Sequence, residues 1–263
     1  MQIDAGGLSI GYDLEGPDGA PVVAMGHCYC ANRDLWRLQV APLLSAGYRV
    51  LRHDVRGHGD TPAPPLPYSL ADAAADIVAL LDALEIERVH YCGISMSGMI
   101  AQWFAINHGH RLHTLILSNT SSKYSTEQLA GWEDRMQALE RDGAEALIDG
   151  AMSRWFTAES LARNAHGVAM IRAGFLGMDA AVRLATMRNI ATVDTTDKLP
   201  TISAPTLVIV GDQDVATPPE AGQVIHENIS GSRLVTIAGA GHISPCERPE
   251  AFNAALLDFL GPA

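Results

Sequence analysis

The sequence predicts an α/β fold, with a mostly parallel sheet covered by helices on both faces and an all-helical segment inserted late in the sheet. Three observations carry that expectation. Short, continuously apolar, β-forming runs alternate with helical patterns at both ends of the chain. The alternation stops between about Ser121 and Val193, where helical patterns follow one another without a β-like run. And one strand-like run, Val89-His90-Tyr91-Cys92-Gly93-Ile94, passes through a serine flanked by small residues directly into an apolar helix pattern.

In chain order, residues 2–4 and 8–15 alternate as an antiparallel hairpin around Gly6-Gly7. Pro21 to Gly26 reads as the first buried strand. A loop from His27 leads into a helical pattern over Asp34 to Leu44, stopped near Gly47 and containing Pro42. Tyr48 to Asp54 is a strand, and Arg56 to Pro67, rich in glycine and proline, is a loop. Ser69-Leu70-Ala71-Asp72 forms a capping box, with Tyr68 placed as a staple, opening a helix through Leu84. After the serine come a helix from Met99 to about Asn107 and a strand at Thr114 to Leu117. The inserted segment divides into helices at roughly 125–142, 143–154, 158–176 and 179–190. Strands at Thr206 to Val210 and Leu234 to Ile237 and a helix from Pro249 to Leu260 close the fold. Residues 1–120 and 194–263 therefore form the core, and 121–193 an inserted lid.

A chain of 263 residues with 48% hydrophobic content can bury such a core. Its 18 basic and 30 acidic residues give a formal charge of −12, which repels phosphate backbones and anionic membranes and argues against nucleic acid as a partner. No basic-then-apolar leader opens the sequence and no apolar run reaches membrane-spanning length, so a soluble, cytoplasmic protein is expected. Cys28, Cys30, Cys92 and Cys246 are few and irregularly spaced and read as free thiols. His27-Cys28-Tyr29-Cys30 lacks zinc-ligand spacing, and His108, His110 and His113 fall at a turn, so no metal is expected.

The serine run carries the chemistry. Between strand and helix, Gly93-Ile94-Ser95-Met96-Ser97 has the form of a nucleophile elbow, in which the residues two before and two after the nucleophile must be small. Taking Ser97 as nucleophile would put Met99 at a flanking position and crowd the turn, so Ser95 is preferred. A serine hydroxyl is a weak nucleophile and needs a histidine base held by a carboxylate. Active groups of such sheets sit on loops beyond the carboxyl ends of strands. That favours His242, in Ala238-Gly239-Ala240-Gly241-His242, and leaves Asp212 and Asp214 as candidate acids. The oxyanion needs two backbone donors. One is the residue after the nucleophile, Met96, and the other lies in the loop after Met25.

These residues resemble the α/β-hydrolase family, whose nucleophile, acid and base follow in the order Ser95, Asp, His242. The likeness covers nearly the whole chain, including Asp54-Val55-Arg56-Gly57-His58-Gly59-Asp60 and Gly211-Asp212-Gln213-Asp214. The last glycine of the usual G-x-S-x-G is Ser97 here. The resemblance implies Asp214 as the acid and Asp212 as a turn residue. Relatives carry His-Gly-x in the first loop, which implies Tyr29 as the second oxyanion donor; a shift of one residue would name Cys28. Within the family the chain is most similar to 3-oxoadipate enol-lactonases and related carboxylic-ester hydrolases. That likeness is carried by Cys92 to Trp103, by Arg154-Trp155-Phe156-Thr157 and by Ala216-Thr217-Pro218-Pro219. It implies Arg154, Trp155 and Phe156 as substrate-binding residues, a small ester or lactone as substrate, and no cofactor. Gly177 to Asp194 departs from the family's pattern, leaving the substrate open between acidic and neutral. A cofactor-free carbon–carbon hydrolase or perhydrolase on the same residues, or a non-catalytic ligand receptor, are the alternative functions, and nothing in the sequence decides between a monomer and a homo-oligomer.

Overall fold

A computed structural model describes all 263 residues. The strands are β1 (Gln2–Ala5), β2 (Leu8–Glu15), β3 (Val22–Gly26), β4 (Arg49–His53), β5 (Val89–Ile94), β6 (Leu112–Ser118), β7 (Thr206–Gly211) and β8 (Arg233–Ile237). They form one sheet in the order β1-β2-β4-β3-β5-β6-β7-β8. The β1–β2 and β2–β4 pairings are antiparallel, and from β4 to β8 every pairing is parallel. Strands β3 and β7 are buried along their whole length, as their unbroken apolar runs require in a sheet covered on both faces.

The helices of the core are α1 (Arg37–Ser45), α2 (Leu70–Ala83) and α3 (Met96–His108). On one face α2 packs on α3. On the other, α1 meets the closing helix Pro249–Leu260. Pro42 lies inside α1, and its missing N–H leaves the Leu38 carbonyl without its helical donor. Asn253 of the closing helix supplies one, Nδ2 to Leu38 O at 3.0 Å, so the proline becomes a docking point instead of a break. The capping box of α2 forms as expected, but the Tyr68 hydroxyl reaches Thr186 of the inserted segment at 2.9 Å.

Between β6 and β7 the chain forms α4 (Thr126–Asp142), α5 (Ala144–Trp155), α6 (Ala158–Ala162), α7 (Val168–Gly177) and α8 (Ala180–Ala191). The expected single helix over 158–176 is a correction: it is two helices, broken where Asn164 (φ 48°) and Gly167 (φ 91°) turn left-handed. The entering and leaving segments meet at an antiparallel bridge between Lys123 and Asp194. After β7 come α9 (Pro219–Asn228), then α10 (Ser244–Glu247) and α11 (Pro249–Leu260). All four cysteines are free and buried. No helix is long and apolar enough to cross a membrane.

Candidate active site

Ser95 stands between β5 and α3 with φ 54° and ψ −116°, a backbone conformation that costs on the order of 1–3 kcal/mol and persists only where the surroundings impose it. Those surroundings are specific. The Ser95 amide donates to Ser118 O (2.9 Å), and Thr120 Oγ1 donates to Ser95 O (2.7 Å). A side chain on Gly93 would fall on the Ser97 carbonyl, which is why the position two before the serine has none. Ser97 itself is fully buried and turned away, its hydroxyl bonded to His27 O, so it is Ser95 that faces the site.

His242 Nε2 lies 2.7 Å from Ser95 Oγ, and His242 Nδ1 lies 2.8 Å from Asp214 Oδ2. A carboxylate only accepts, so Nδ1 carries the proton and Nε2 is free to take the serine's. Asp214 is almost fully enclosed. Its Oδ1 accepts the amides of Ala216 and Thr217 (2.8 and 2.9 Å), and its Oδ2 accepts Asn119 Nδ2 (3.0 Å) and Thr217 Oγ1 (2.9 Å). Burial alone would push its carboxyl up; His242, Asn119 and Thr217 outweigh that and hold it below the usual carboxylate range. Asp212 takes no part, accepting the Gly239 amide in the neighbouring turn (2.7 Å). Nothing in the local sequence singles out Asn119 or Thr217 as partners of the acid.

A cavity of about 560 Å³ opens between the loops after β3 and β7 and helices α4, α5, α7 and α8; the triad residues do not line it, but two of its lining residues bond to them, Trp155 O accepting the His242 amide and the Ala216 amide donating to Asp214. Trp155, Trp132, Phe175, Leu139 and Met187 make most of its wall apolar. Tyr29 lines it too, its ring edge-on to Trp155 (6.0 Å) and Phe175 (6.5 Å). Arg154 and Trp155 line the cavity, whereas Phe156 is buried in the core, packed towards Gly167, and does not reach it. Of the inserted segment's arginines, five are engaged elsewhere: Arg141 with Asp142, Arg172 with Asp149, Arg188 with Glu140, Arg163 with Glu247 O, and Arg183 with the carbonyls of Leu176 and Met178. Arg135 and Arg154 have no ion pair or hydrogen bond, and both line the cavity. Arg135 stacks 4.5 Å above the Trp132 ring. Burial, and then the charge of Arg154, lowers its affinity for its proton, and burial does the same to Arg154; both remain cations at neutral pH. The carboxylates on this wall, Glu127 and Asp134, are solvent-exposed.

Residues 21–249 match the model of the family described as "alpha/beta hydrolase fold". A 3-oxoadipate enol-lactonase of Acinetobacter baylyi is 32% identical over 94% of this chain and 91% of its own. The crystal structure of the enol-lactonase from Burkholderia xenovorans superposes with a TM-score of 0.91, at 33% identity over 99% of both chains. That of a hydrolase from Pseudomonas aeruginosa gives 0.91 at 34% identity, over 99% of this chain and 98% of the other.

Proposed function

The chain belongs to the alpha/beta hydrolase family, and from that premise we propose that it is a serine hydrolase cleaving a small carboxylic ester or lactone through an acyl-enzyme. The observation that carries the reading is the continuous chain Asp214–His242–Ser95, hydrogen-bonded at 2.8 and 2.7 Å. Ser95 Oγ attacks the substrate carbonyl as His242 Nε2 takes its proton. Asp214 holds the imidazole in the required tautomer and stabilises the imidazolium. The tetrahedral oxyanion is met by the amides of Met96, at the positive end of α3, and of Tyr29, with Cys28 the neighbouring alternative. Collapse expels the alcohol, which takes the proton from His242. Water, activated by the same histidine, then frees the acid and restores Ser95. Residues 121–193 act as the lid that roofs this chemistry.

Two unpaired guanidiniums in a mostly apolar wall, whose own carboxylates Glu127 and Asp134 face solvent, favour a substrate with a carboxylate remote from the scissile bond, bound by Arg154 together with Arg135. The enol-lactonase relatives support the same choice. Turnover of p-nitrophenyl butyrate alongside acidic and neutral lactones tests the function: hydrolysis of short esters with preference for acidic lactones is expected. No hydrolysis of any ester or lactone, with tight binding of an apolar ligand, would make the protein a receptor; cleavage of a vinylogous diketone with negligible esterase activity would make it a carbon–carbon hydrolase.

A further inference from the structure

Ser97 stands where the elbow pattern usually has glycine, and its hydroxyl is not idle. It is fully buried and donates to His27 O at 2.5 Å, joining the first turn of α3 to the loop that leaves β3. The two segments touch closely: a Cβ on Gly26 would come within 2.9 Å of both Cβ and Oγ of Ser97. Beyond His27 the loop is tied down again. The Val55 amide donates to His27 Nε2 (3.0 Å), which leaves Nδ1 as the protonated nitrogen; Nδ1 donates to Cys28 O (2.8 Å), and that carbonyl also accepts the Ala31 amide (3.2 Å).

A trans peptide unit is planar with its N–H antiparallel to its C=O, so fixing the carbonyls of His27 and Cys28 fixes where the amides of Cys28 and Tyr29 point. The Tyr29 amide donates to no acceptor in the chain, and the Cys28 amide meets only its own thiol. Main-chain donors of buried residues are almost always paired, so the Tyr29 amide, left without a partner beside the elbow, is open to an acceptor that arrives with the substrate.

We propose that Ser97 is a positioning residue of the oxyanion hole: by holding the His27 carbonyl against the elbow, its hydroxyl keeps the loop amide at the distance where it meets the oxyanion formed on Ser95. The proposal rests on the serine-hydrolase reading above. It also gives a role to the departure from the glycine pattern, since glycine would leave the turn free to close but would leave this tie unmade.

The test uses the full chain with Ser97→Ala and Ser97→Gly, which add no atoms to a packed site. With p-nitrophenyl butyrate, kcat should fall about tenfold, the scale of one lost hydrogen bond, while KM stays within about twofold. An aryl trifluoromethyl ketone, whose adduct places an oxyanion in the hole, should bind about tenfold more weakly to both variants. A bond that merely supports the fold would lower the melting temperature and leave both readings unchanged; that outcome overturns the proposal. Wild-type protein that turns over no ester and binds no ketone overturns the serine-hydrolase reading, and this proposal with it.

Discussion

Arg135 and Arg154 are two residues among seven similar ones, and what separates them is only what the other five are bonded to. If they clamp a carboxylate, Arg154→Ala should lose about ten- to a hundredfold in kcat/KM on an acidic lactone, the value of a charge-assisted bond, while keeping its activity on a neutral lactone of the same size. Arg135→Ala should behave alike. Equal losses on both substrates would point to a neutral ester or lactone. Arg154 was legible in the sequence from the stretch Arg154-Trp155-Phe156-Thr157, though Phe156 proved a core residue. Arg135 was not, because its stack on Trp132 and its lack of a partner are facts of packing. The same limit applies to Asn119, which reaches Asp214 across 95 positions of chain. Ser95 and His242 were legible because their local settings, a strand-to-helix serine between small residues and a glycine-rich loop after a strand, are written within a few residues.

At the scale of elements, the inserted helices are latched to the loop that carries His242. The His242 amide donates to Trp155 O at the end of α5 (3.0 Å). Glu247 of α10 is 1% exposed and accepts the amides of Thr157 (2.8 Å) and Ile243 (3.2 Å). One hydrogen bond thus ties Trp155, a wall of the cavity, to His242. Glu247→Ala would strand two buried donors and should cost about 3 kcal/mol of stability in denaturant unfolding, with a fall in kcat as His242 loses its register; unchanged stability and activity would refute the latch. This seam was invisible from sequence, since Glu247 lies far along the chain from Thr157 and glutamate is a residue type usually found solvated. The sheet and its flanking helices were legible because each run shows its period. The break at Asn164 to Gly167 was read through, because apolar residues on both sides keep helical spacing across it.

Across the whole molecule, the tight packing around the first loop leaves a pH signature. Burial lowers His53 and His58 from 6.5 to about 4, with the nearby Asp54 opposing only in part. Between these values the unfolded chain binds protons that the folded one refuses. The stability they contribute is therefore full above about pH 6.5 and is lost as the pH falls towards 4. The melting temperature should drop steadily through that window, and His58→Gln should flatten the slope; a melting temperature independent of pH from 7 to 4 would contradict the neutral, buried assignment. Sheet order, elbow and helical insert converge on one hydroxyl, and the most direct measurement is where a serine-directed phosphonate attaches. Mass spectrometry of the labelled protein should find one adduct per chain, on the peptide containing Ser95, and none in Ser95→Ala. An adduct on Ser97, or an active enzyme that takes up no label, would contradict the account.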